Sequence, residues 1–362
     1  MPHSRSRLAS FIQGVRVLDL SRHLPGPLAT LLLADMGAEV TKIEPPSGDE
    51  MRQIGPQGAE GTSHAFQAVN AGKTTRRLDL KSESGREAFL ALAATADVLV
   101  ESFRPGTMER LGLGAETLRA ENPGLIYCAL SGYGRSGPWM DRAGHDLTYL
   151  AQTGILDAMG HPGVPYPPPA DINGGLFATI AILGALNARA RDGKGCVLDL
   201  ALADAPMPTL VFSLAELGVS GDLIGGAQGL LGGGAAYNNV YRTADDGKVA
   251  LAAIEPKFWA SFCRAAFRPD WLARQSEPLP QHALGAEIAA MFAALTLAEA
   301  VARFEPADCC FAPVAAFNHA LHGFHATARG LLATGADGRL QALFPAVVDG
   351  QRPPPRPPLR EL

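Results

Sequence analysis

The sequence predicts an α/β fold: a large Rossmann-like domain with a mostly parallel sheet, followed by a smaller α+β domain. Two observations predict it. Short apolar runs rich in β-branched residues alternate with helical segments over the first half of the chain, which is the pattern of right-handed βαβ units. Further on, a glycine-rich segment with few charges precedes a hairpin signature and three helical segments. We expect a large domain at 1–200 that 325–362 completes, a linker helix at 201–224 and a small domain at 225–324.

The elements of the large domain follow from short local patterns. Pro27 suits a first helical turn and Gly37 a helix end, so a helix is predicted between the first two strands. The predicted strands are 14–21, 38–44, 76–81, 97–102, 125–131 and 196–202, and the predicted helices are 25–37, 82–96 and about 174–190. Helices between successive strands make the strands parallel, so their carboxyl ends share one edge of the sheet.

The last third of the chain has different patterns. Asp246-Gly247 between two apolar alternating runs indicates a β-hairpin, and the glycine-rich segment 221–237 before it indicates a linker or mobile loop. Helices are predicted near 256–267, 283–294 and 296–305. The proline-rich end, 351–362, indicates an extended strap on the protein's own surface, with a ligand for an SH3-type domain as the alternative.

Composition and charge exclude several classes of protein. The net charge is −5 and no block of like charges occurs, which argues against nucleic-acid binding through phosphates. Five scattered cysteines without a CxxC pair favour neither a disulfide framework nor a zinc ribbon, and they fit a reducing cytoplasm. The longest apolar run, 174–186, is shorter than the ~20 residues of a membrane span, and the first residues lack the apolar stretch of a signal peptide. We therefore expect a cytoplasmic protein without a nucleic-acid or membrane partner.

Two patterns are weak candidates for cofactor or metal binding. The turn LSRHLPGP after the first strand lacks GxGxxG, so a nicotinamide cofactor is not expected, although Glu44 ends the second strand where an acid could meet a ribose. His319, His322 and His325 form HxxHxxH, but this spacing drifts around a helix and no further ligand lies nearby in the sequence. No metal site is predicted.

Three acidic residues and a histidine are candidates for acid/base chemistry. In AGHDLTYLAQTG, His145 and Asp146 begin a helix, which indicates either a capping Asp beside a satisfied His or an acid/base site. Asp171 precedes an apolar helix that opens with two glycines, so it is either an N-cap or a carboxylate beside N–H groups that face a ligand oxygen. Glu255 ends a strand of the small domain before a helix, and its alternative is again an N-cap.

Arginines lie where a phosphate-bearing ligand would bind. Arg104 and Arg110 follow the predicted strand 97–102, at the carboxyl edge of the sheet. Guanidinium groups there suit phosphate, whereas the alternative is a solvated helix face.

Seven stretches, in order, carry a resemblance to a known family. They are LPGPLATLLLADMGAEVTKIEPPSGD, NAGKTTRRLDLK, DVLVESFRPGTMERLGLG, ENPGLIYCALSGYGRSGP, AGHDLTYLAQTG, GKGCVLDLALADA and YRTADDGKVALAAIEPKFW. Together they resemble the class III CoA-transferase superfamily of the CaiB/BaiF type, and within it the α-methylacyl-CoA racemases. The resemblance extends from the first strand to about residue 330.

The resemblance implies which residues are catalytic. Transferases of the superfamily use an Asp that matches Asp171 as a covalent nucleophile, and they usually lack a His at position 145. The racemases keep the Asp and add the His of GHD and the Glu of AIEPxF, which are His145 and Glu255 here. Ala170 and Ile172 replace the Gly and Phe that are typical of the racemases, which leaves the shape of the acyl pocket, and so the acyl group, open.

The implied reaction is inversion of C2 of a 2-methylacyl-CoA through an enolate. His145 and Asp171 would be the two bases, and burial or neighbours would have to raise the pKa of Asp171. Asp146 and Glu255 would orient or charge-balance His145, and N–H groups at the start of the helix at 174–190 would stabilise the enolate oxygen. No cofactor is required, because CoA is part of the substrate. A CoA-transferase with a covalent Asp171 intermediate and a non-catalytic CoA-binding protein are the alternatives.

The resemblance also implies the CoA site and the assembly. By match to family positions, the CoA-binding residues are Arg22, Leu24, Pro25, Val69, Asn70, Gly72, Ser102, Phe103, Arg104 and Arg110. Phe103 would face the adenine and the arginines the phosphates. Family members are interlocked homodimers whose site lies between the large domain of one chain and the small domain of the other, so Glu255 would act in the partner's site.

Overall fold

A computed structural model describes residues 6–58, 60–160, 163–221, 226 and 228–362. Two compact units make up the chain: the first comprises Met1–Thr153, Pro165–Pro208 and Gly323–Leu362, and the second comprises Gly154–Val164 and Thr209–His322. The predicted linker helix at 201–224 corresponds to a helix at Val211–Ser220 that is part of the second unit. Of the glycine-rich segment, residues 222–225 and 227 lie outside the described residues.

Strands and helices are numbered in chain order. The strands are β1 Arg16–Leu20, β2 Glu39–Glu44, β3 Thr74–Arg77, β4 Val98–Glu101, β5 Ile126–Ser131, β6 Val197–Ala201, β7 Asn238–Arg242, β8 Lys248–Ala252, β9 Phe311–Pro313, β10 Leu332–Thr334, β11 Leu340–Ala342 and β12 Arg360–Glu361. The helices are α1 Pro25–Asp35, α2 His64–Asn70, α3 Glu83–Ala93, α4 Thr107–Arg110, α5 Ala115–Glu121, α6 Asp146–Gln152, α7 Ile155–Ala158, α8 Pro169–Asp192, α9 Val211–Ser220, α10 Pro256–Ala265, α11 His282–Ala293, α12 Leu297–Phe304, α13 Phe317–Leu321 and α14 Phe324–Arg329.

The first unit is built on a parallel sheet. Seven strands lie in the order β12-β3-β2-β1-β4-β5-β6, and every neighbouring pair is parallel. The predicted α/β fold is therefore confirmed. The strand order reverses direction between β1 and β4, and in open parallel sheets ligands bind outside the carboxyl ends of the strands at this point. β12 adds the proline-rich end of the chain to the sheet, which confirms the predicted surface strap.

Two elements of this unit differ from the predicted bounds. The strand expected at 76–81 is Thr74–Arg77, because Asp79 starts a turn: its carbonyl accepts the Ser82 N–H at 3.0 Å and its carboxylate the Lys81 N–H at 3.0 Å. The helix expected at 174–190 is α8, which begins five residues earlier, so Asp171 lies inside its first turn rather than before it.

The paired glycines of α8 have a packing role. A Cβ atom at Gly175 would lie 2.8 Å from the carbonyl oxygen of Pro25 in α1, and one at Gly174 would lie 2.4 Å from Leu202 Cδ2. The glycines therefore let α8 approach α1 and the chain after β6 closely. By length and composition alone α8 could also cross a membrane, a property that core helices of water-soluble proteins share.

The second unit contains the predicted hairpin and helices. β7 and β8 are antiparallel with Asn238 opposite Ala252, Asp246 adopts φ 62° in the turn, and β9 adds a third antiparallel strand. The helices α10, α11 and α12 lie within two residues of the predicted segments. Their core is aromatic: Trp259, Phe262, Trp271, Phe292 and Phe304 are all fully buried. The expected α+β character of this unit is confirmed.

Buried charges lie beneath the carboxyl edge of the parallel sheet. Asp19 in β1 and Lys73 before β3 are fully buried and form an ion pair of 3.0 Å. Lys73 Nζ also donates to the carbonyl of Pro27 at 2.9 Å and to Asn70 Oδ1 at 2.9 Å. Burial raises the pKa of the Asp19 carboxyl, but Lys73 and, to a smaller extent, Lys42 lower it, and the net pKa is below the usual value. Every donor of the ammonium group is used, so these contacts tie β1, α1, α2 and β3 together.

Removal of Lys73 tests this network. Lys73→Met leaves the Asp19 carboxylate buried without its closest cation, so we expect the free energy of unfolding to fall by about 3 kcal/mol. Urea denaturation followed by circular dichroism measures the change. The exposed Lys194→Met is the matched control and should change stability little, and Asp19→Asn combined with Lys73→Met should recover part of the loss. A stability of Lys73→Met equal to that of the control would contradict a structural role for the pair.

Candidate active site

A cleft of about 590 Å³ opens at the carboxyl edge of the parallel sheet, above the point where the strand order reverses. It is lined by segments that follow β1, β4 and β5 and by the first turn of α8. The titratable residues of its wall are Arg22, His23, Glu50, Arg104, Arg110, Arg142, His145, Tyr149 and Asp171. The cleft wall therefore has four arginines and two histidines against two carboxylates. This excess of basic side chains suits an anionic ligand.

A second cavity, of about 410 Å³, borders the first. The two share four lining residues, Arg22, Phe103, Thr107 and Arg110. The rest of its wall is mostly apolar, with Ile43, Leu78, Leu80 and Leu111 among its residues. Lys81 contributes a cation, and Glu44, Asp49 and Asp79 contribute carboxylates. An apolar cavity with cations at its rim suits the ring and phosphates of a nucleotide.

His145 is held by its backbone at the start of α6. Its N–H donates to Thr148 Oγ1 at 2.9 Å and its carbonyl accepts the Thr148 N–H at 2.8 Å, so the residue closes the first turn. The side chain is exposed and lines the cleft, where its ring lies edge-on to that of His23 with 5.6 Å between the centroids. The imidazole is therefore accessible to a ligand in the cleft.

Asp146 binds the N-terminus of α8. Its Oδ1 atom accepts the N–H of Ala170 at 2.6 Å and that of Asp171 at 3.1 Å. Pro169 has no N–H, and the N–H of Ile172 donates to the Pro168 carbonyl at 3.0 Å. The first-turn N–H groups are thus in use, so the expectation that they stabilise an enolate oxygen is wrong. The reason is the earlier start of α8, which brings these groups to Asp146 instead of to the cleft.

The pKa of the Asp171 carboxyl is raised to about 6. Burial is the main cause and the neighbouring Asp146 carboxylate adds to it, whereas His145 opposes the shift. Such a shift is what Asp171 needs in order to hold a proton part of the time near neutral pH. Asp146 provides it through its charge, and its hydrogen bonds go to the helix rather than to the imidazole of His145, which was the expected partner.

Six of the ten residues matched to CoA-binding positions line the cleft. They are Arg22, Pro25, Ser102, Phe103, Arg104 and Arg110. Two contacts join the turn after β1 to the loop after β4: the Arg22 N–H donates to Ser102 Oγ at 2.9 Å, and the Arg22 guanidinium lies 5.4 Å from the centre of the Phe103 ring. These contacts hold the two loops at the switch point of the sheet together.

The other four lie away from the lining of this cleft. Leu24 is the half-buried residue before α1, and Val69 lines a different cavity, between α1, α2 and the β10–β11 hairpin. Asn70 is buried and accepts a hydrogen bond from Lys73. Gly72, at φ 78°, donates its N–H to the Pro357 carbonyl at 2.7 Å. Asn70 and Gly72 thus have structural partners, which local sequence similarity did not reveal.

Glu255 lies in the second unit, where it directly precedes α10 and is exposed. Its carbonyl accepts the N–H groups of Phe258 and Trp259, so its backbone starts the helix, while no N-cap hydrogen bond to its side chain is present.

In the part of the chain that the structure describes, no group of three His, Cys, Asp or Glu residues could hold a metal ion, and this includes His319, His322 and His325.

The comparisons with known proteins agree on the family. The model for CoA-transferase family III matches residues 12–359. The chain belongs to CoA-transferase family III. It is 37% identical to mouse α-methylacyl-CoA racemase over 96% of this chain and 85% of the relative. It is also 37% identical to a probable fatty acyl-CoA transferase of Mycobacterium tuberculosis, over 73% of this chain and 71% of that protein. A crystal structure of a Mycobacterium tuberculosis protein, Rv3272, superimposes with a TM-score of 0.81 at 30% identity and covers 96% of both chains.

Sequence reasoning missed three residues of this family III cleft. His23 and Glu50 face each other with 3.6 Å between Nε2 and Oε1, and Arg142 lies in the loop that leads to His145. His23 has φ 61°, an unusual backbone conformation for a non-glycine residue, and burial lowers the pKa of its imidazole. The only local sign of these residues is His23 itself, in the turn LSRHLPGP after the first strand. That turn was considered above only as a possible glycine motif.

Asp146→Asn tests the electrostatic role of Asp146. The amide oxygen can still accept N–H groups of α8, but the negative charge is lost, so ionisation of Asp171 becomes easier and its pKa falls below about 6. Carboxyl-carbon NMR titration of Asp171 measures the shift, and the exposed Asp141→Asn is the control. An unchanged Asp171 pKa in Asp146→Asn would show that burial alone raises it.

Proposed function

We propose that this family III enzyme inverts C2 of a 2-methylacyl-CoA thioester by proton transfer between two bases. The observation that carries the proposal is the presence of His145 and Asp171 on the wall of one cleft, together with a pKa of Asp171 of about 6. With this pKa the Asp171 carboxyl can hold or release a proton near neutral pH, and a histidine beside it on the same wall is the side chain most often used as the second group in general acid/base catalysis.

The reaction balances with these two groups alone. One base removes the C2 proton, and the electron pair of that C–H bond moves into the thioester carbonyl to give an enolate. The conjugate acid of the other base donates its proton to the opposite face of C2, and the electron pair returns. In one direction His145 accepts and Asp171 donates, and in the other direction the roles are exchanged. No oxidation or reduction occurs.

The two bordering cavities support a place for the CoA moiety. Arg22, Arg104 and Arg110 would contact the phosphates, and Phe103 the adenine. The thioester then points along the cleft towards His145 and Asp171. The name of the mouse relative, α-methylacyl-CoA racemase, supports the same substrate class.

Transfer of CoA between carboxylic acids is the second candidate. Several relatives are named as CoA-transferases, among them an acetyl-CoA:oxalate CoA-transferase of Acetobacter aceti. Asp171 would then attack the thioester and form a mixed anhydride. Its half-buried carboxylate on the cleft wall is compatible with that role, but this reaction leaves His145 without a proton to transfer at C2.

We further propose that two chains form an interlocked dimer in which Glu255 of the partner subunit completes each site. Exposed apolar side chains on α9, Val211, Phe212, Leu214 and Leu217, provide the surface that such an assembly would cover. Glu255 would balance the charge of His145 when it becomes protonated.

Deuterium exchange distinguishes the two reactions. In D₂O, without an acceptor acid, either epimer of a 2-methylacyl-CoA should gain deuterium at C2 as the other epimer appears, because a base open to solvent picks up deuterium. His145→Ala and Asp171→Ala should each slow epimerisation by roughly 10²–10⁴-fold, the usual contribution of a general base. Mass spectrometry and chiral chromatography measure both quantities.

The transferase reaction has a different outcome in the same experiment. There the wild type leaves the C2 proton in place but moves CoA to an added carboxylate, Asp171→Ala is inactive and His145→Ala is nearly normal. The exposed Asp141→Ala is the control for a loss of charge near the cleft. Full epimerisation by His145→Ala would rule out the two-base reaction.

Mixed dimers test the shared site. Co-refolded Asp171→Ala and Glu255→Ala chains should regain roughly a quarter of wild-type activity, because half of randomly paired dimers are mixed and each mixed dimer has one site without a lesion. Each variant refolded alone is the control. Activity of the mixture no higher than that of the single variants would show that Asp171 and Glu255 act in the same chain, or that no dimer forms.

A further inference from the structure

One loop carries most of the residues that would grip CoA. It follows β4 and ends with α4, so we call residues 102–110 the β4 loop. Its cleft-lining residues are Ser102, Phe103, Arg104, Pro105, Thr107 and Arg110. The Arg104 and Arg110 side chains are exposed, so their position depends on how the backbone of the loop is held.

A single arginine outside the cleft lining holds both ends of this loop. The Arg135 guanidinium forms an ion pair and a hydrogen bond with Glu109, near the end of the loop, through its NH2 group. Its NH1 group lies 3.8 Å from Oε1 of Glu101, directly before the loop. The backbone N–H of Arg135 donates to both carboxylate oxygens of Asp199 in β6, at 3.1 Å each. Arg135 thus connects the loop to the far strand of the sheet.

Glu101 transmits this contact to the loop backbone. Its Oε2 atom accepts the N–H of Phe103 at 2.7 Å, and Oε1 accepts the hydroxyl of Tyr127 at 3.4 Å. Glu101 is buried, whereas Glu109 is exposed. A buried carboxylate that holds Phe103 by its N–H group needs a cation beside it, and Arg135 is the cation that the structure places there.

We propose that Arg135 is a positioning residue for CoA: by bridging Glu101 and Glu109, it fixes the two ends of the β4 loop and so the orientation of Phe103, Arg104 and Arg110. The inference rests on the proposed function only in that CoA occupies the cleft, and it is independent of whether the enzyme is a racemase or a transferase. Arg135 itself need not touch CoA, because it acts through the carboxylates on either side of the loop.

The bridge also makes CoA binding sensitive to pH. Burial raises the pKa of Glu101 to about 7, against the opposing effects of the Phe103 N–H, Arg135 and Tyr127, and the Glu109 carboxylate adds to the rise. The buried Cys128 thiol also faces it. Above this pH Glu101 is ionised and attracts Arg135, whereas below it the carboxyl is neutral and the bridge is weaker. The affinity for CoA should therefore decrease as the pH falls through about 7.

Calorimetric titration with CoA itself tests the positioning role. Arg135→Gln should weaken binding about ten-fold, since an interaction with ionised groups is lost at both ends of the loop. Arg135→Lys keeps the charge but cannot reach both carboxylates at once. Its affinity for CoA should therefore lie between that of the wild type and that of Arg135→Gln. Arg191→Gln, an exposed arginine in the last turn of α8, removes the same charge and should bind CoA as the wild type does. Thermal unfolding of each variant verifies that it is folded.

A double-variant cycle shows whether Arg135 acts through the loop. In a Glu109→Gln background, Arg135→Gln should weaken CoA binding by a smaller factor than in the wild type, because half of the bridge is already absent. Equal factors in both backgrounds, or wild-type affinity of folded Arg135→Gln, would overturn the proposal. A wild type that does not bind CoA at all would instead overturn the proposed substrate class, so the two failures are distinguishable.

The pH dependence provides a readout that a general loss of stability would not change. Glu101→Gln cannot ionise, so the difference between its CoA affinity and that of the wild type isolates the titration of Glu101 from that of the CoA phosphates and of the other groups in the cleft. As the pH is lowered through about 7, we expect the CoA affinity of the wild type to fall more steeply than that of Glu101→Gln. Parallel profiles would show that Glu101 does not transmit its ionisation to the loop.

Discussion

The carboxylate of Asp146 holds the first turn of α8 against the loop that carries His145. A helix leaves its first N–H groups without partners, and here one oxygen atom satisfies two of them from 24 and 25 residues away in the chain. The same contact places a negative charge beside Asp171 and raises the pKa of that carboxyl, in addition to burial. One interaction therefore holds a proposed base in position and contributes, after burial, to its raised pKa.

The parallel sheet explains why the site lies where it does. All strands of the sheet end at one edge, so the turn after β1 and the loops after β4 and β5 meet there, while the Asp19–Lys73 pair is buried just beneath. Charges are rarely buried unless they are paired, and this pair secures the end of β1 from which Arg22 and His23 emerge. The rigid framework and the reactive loops are thus joined by ionic contacts rather than by apolar packing alone.

Relatives of this chain are named both as racemases and as CoA-transferases, and the two proposed reactions differ in the step that follows binding. A carboxylate at position 171 can accept a proton or attack a thioester, according to whether C2 or the carbonyl carbon lies next to it. The proposed inversion depends on a second side chain, His145, on the wall of the same cleft. The β4 loop, which we infer Arg135 to position, would serve either reaction because it concerns the CoA moiety.

The sequence by itself determined the order and type of the elements, the family and the candidates His145 and Asp171, because hydrophobic period, turn residues and short motifs are local properties. It did not reveal the hydrogen-bond partners of Asn70 and Gly72, and it did not indicate His23, Glu50 or Arg135, since their partners are remote in the chain. Only the tertiary structure decided that α8 starts at Pro169 and that its first N–H groups bind Asp146 instead of facing a ligand. Partners that meet through folding depend on the crossing of distant segments, which no local pattern encodes.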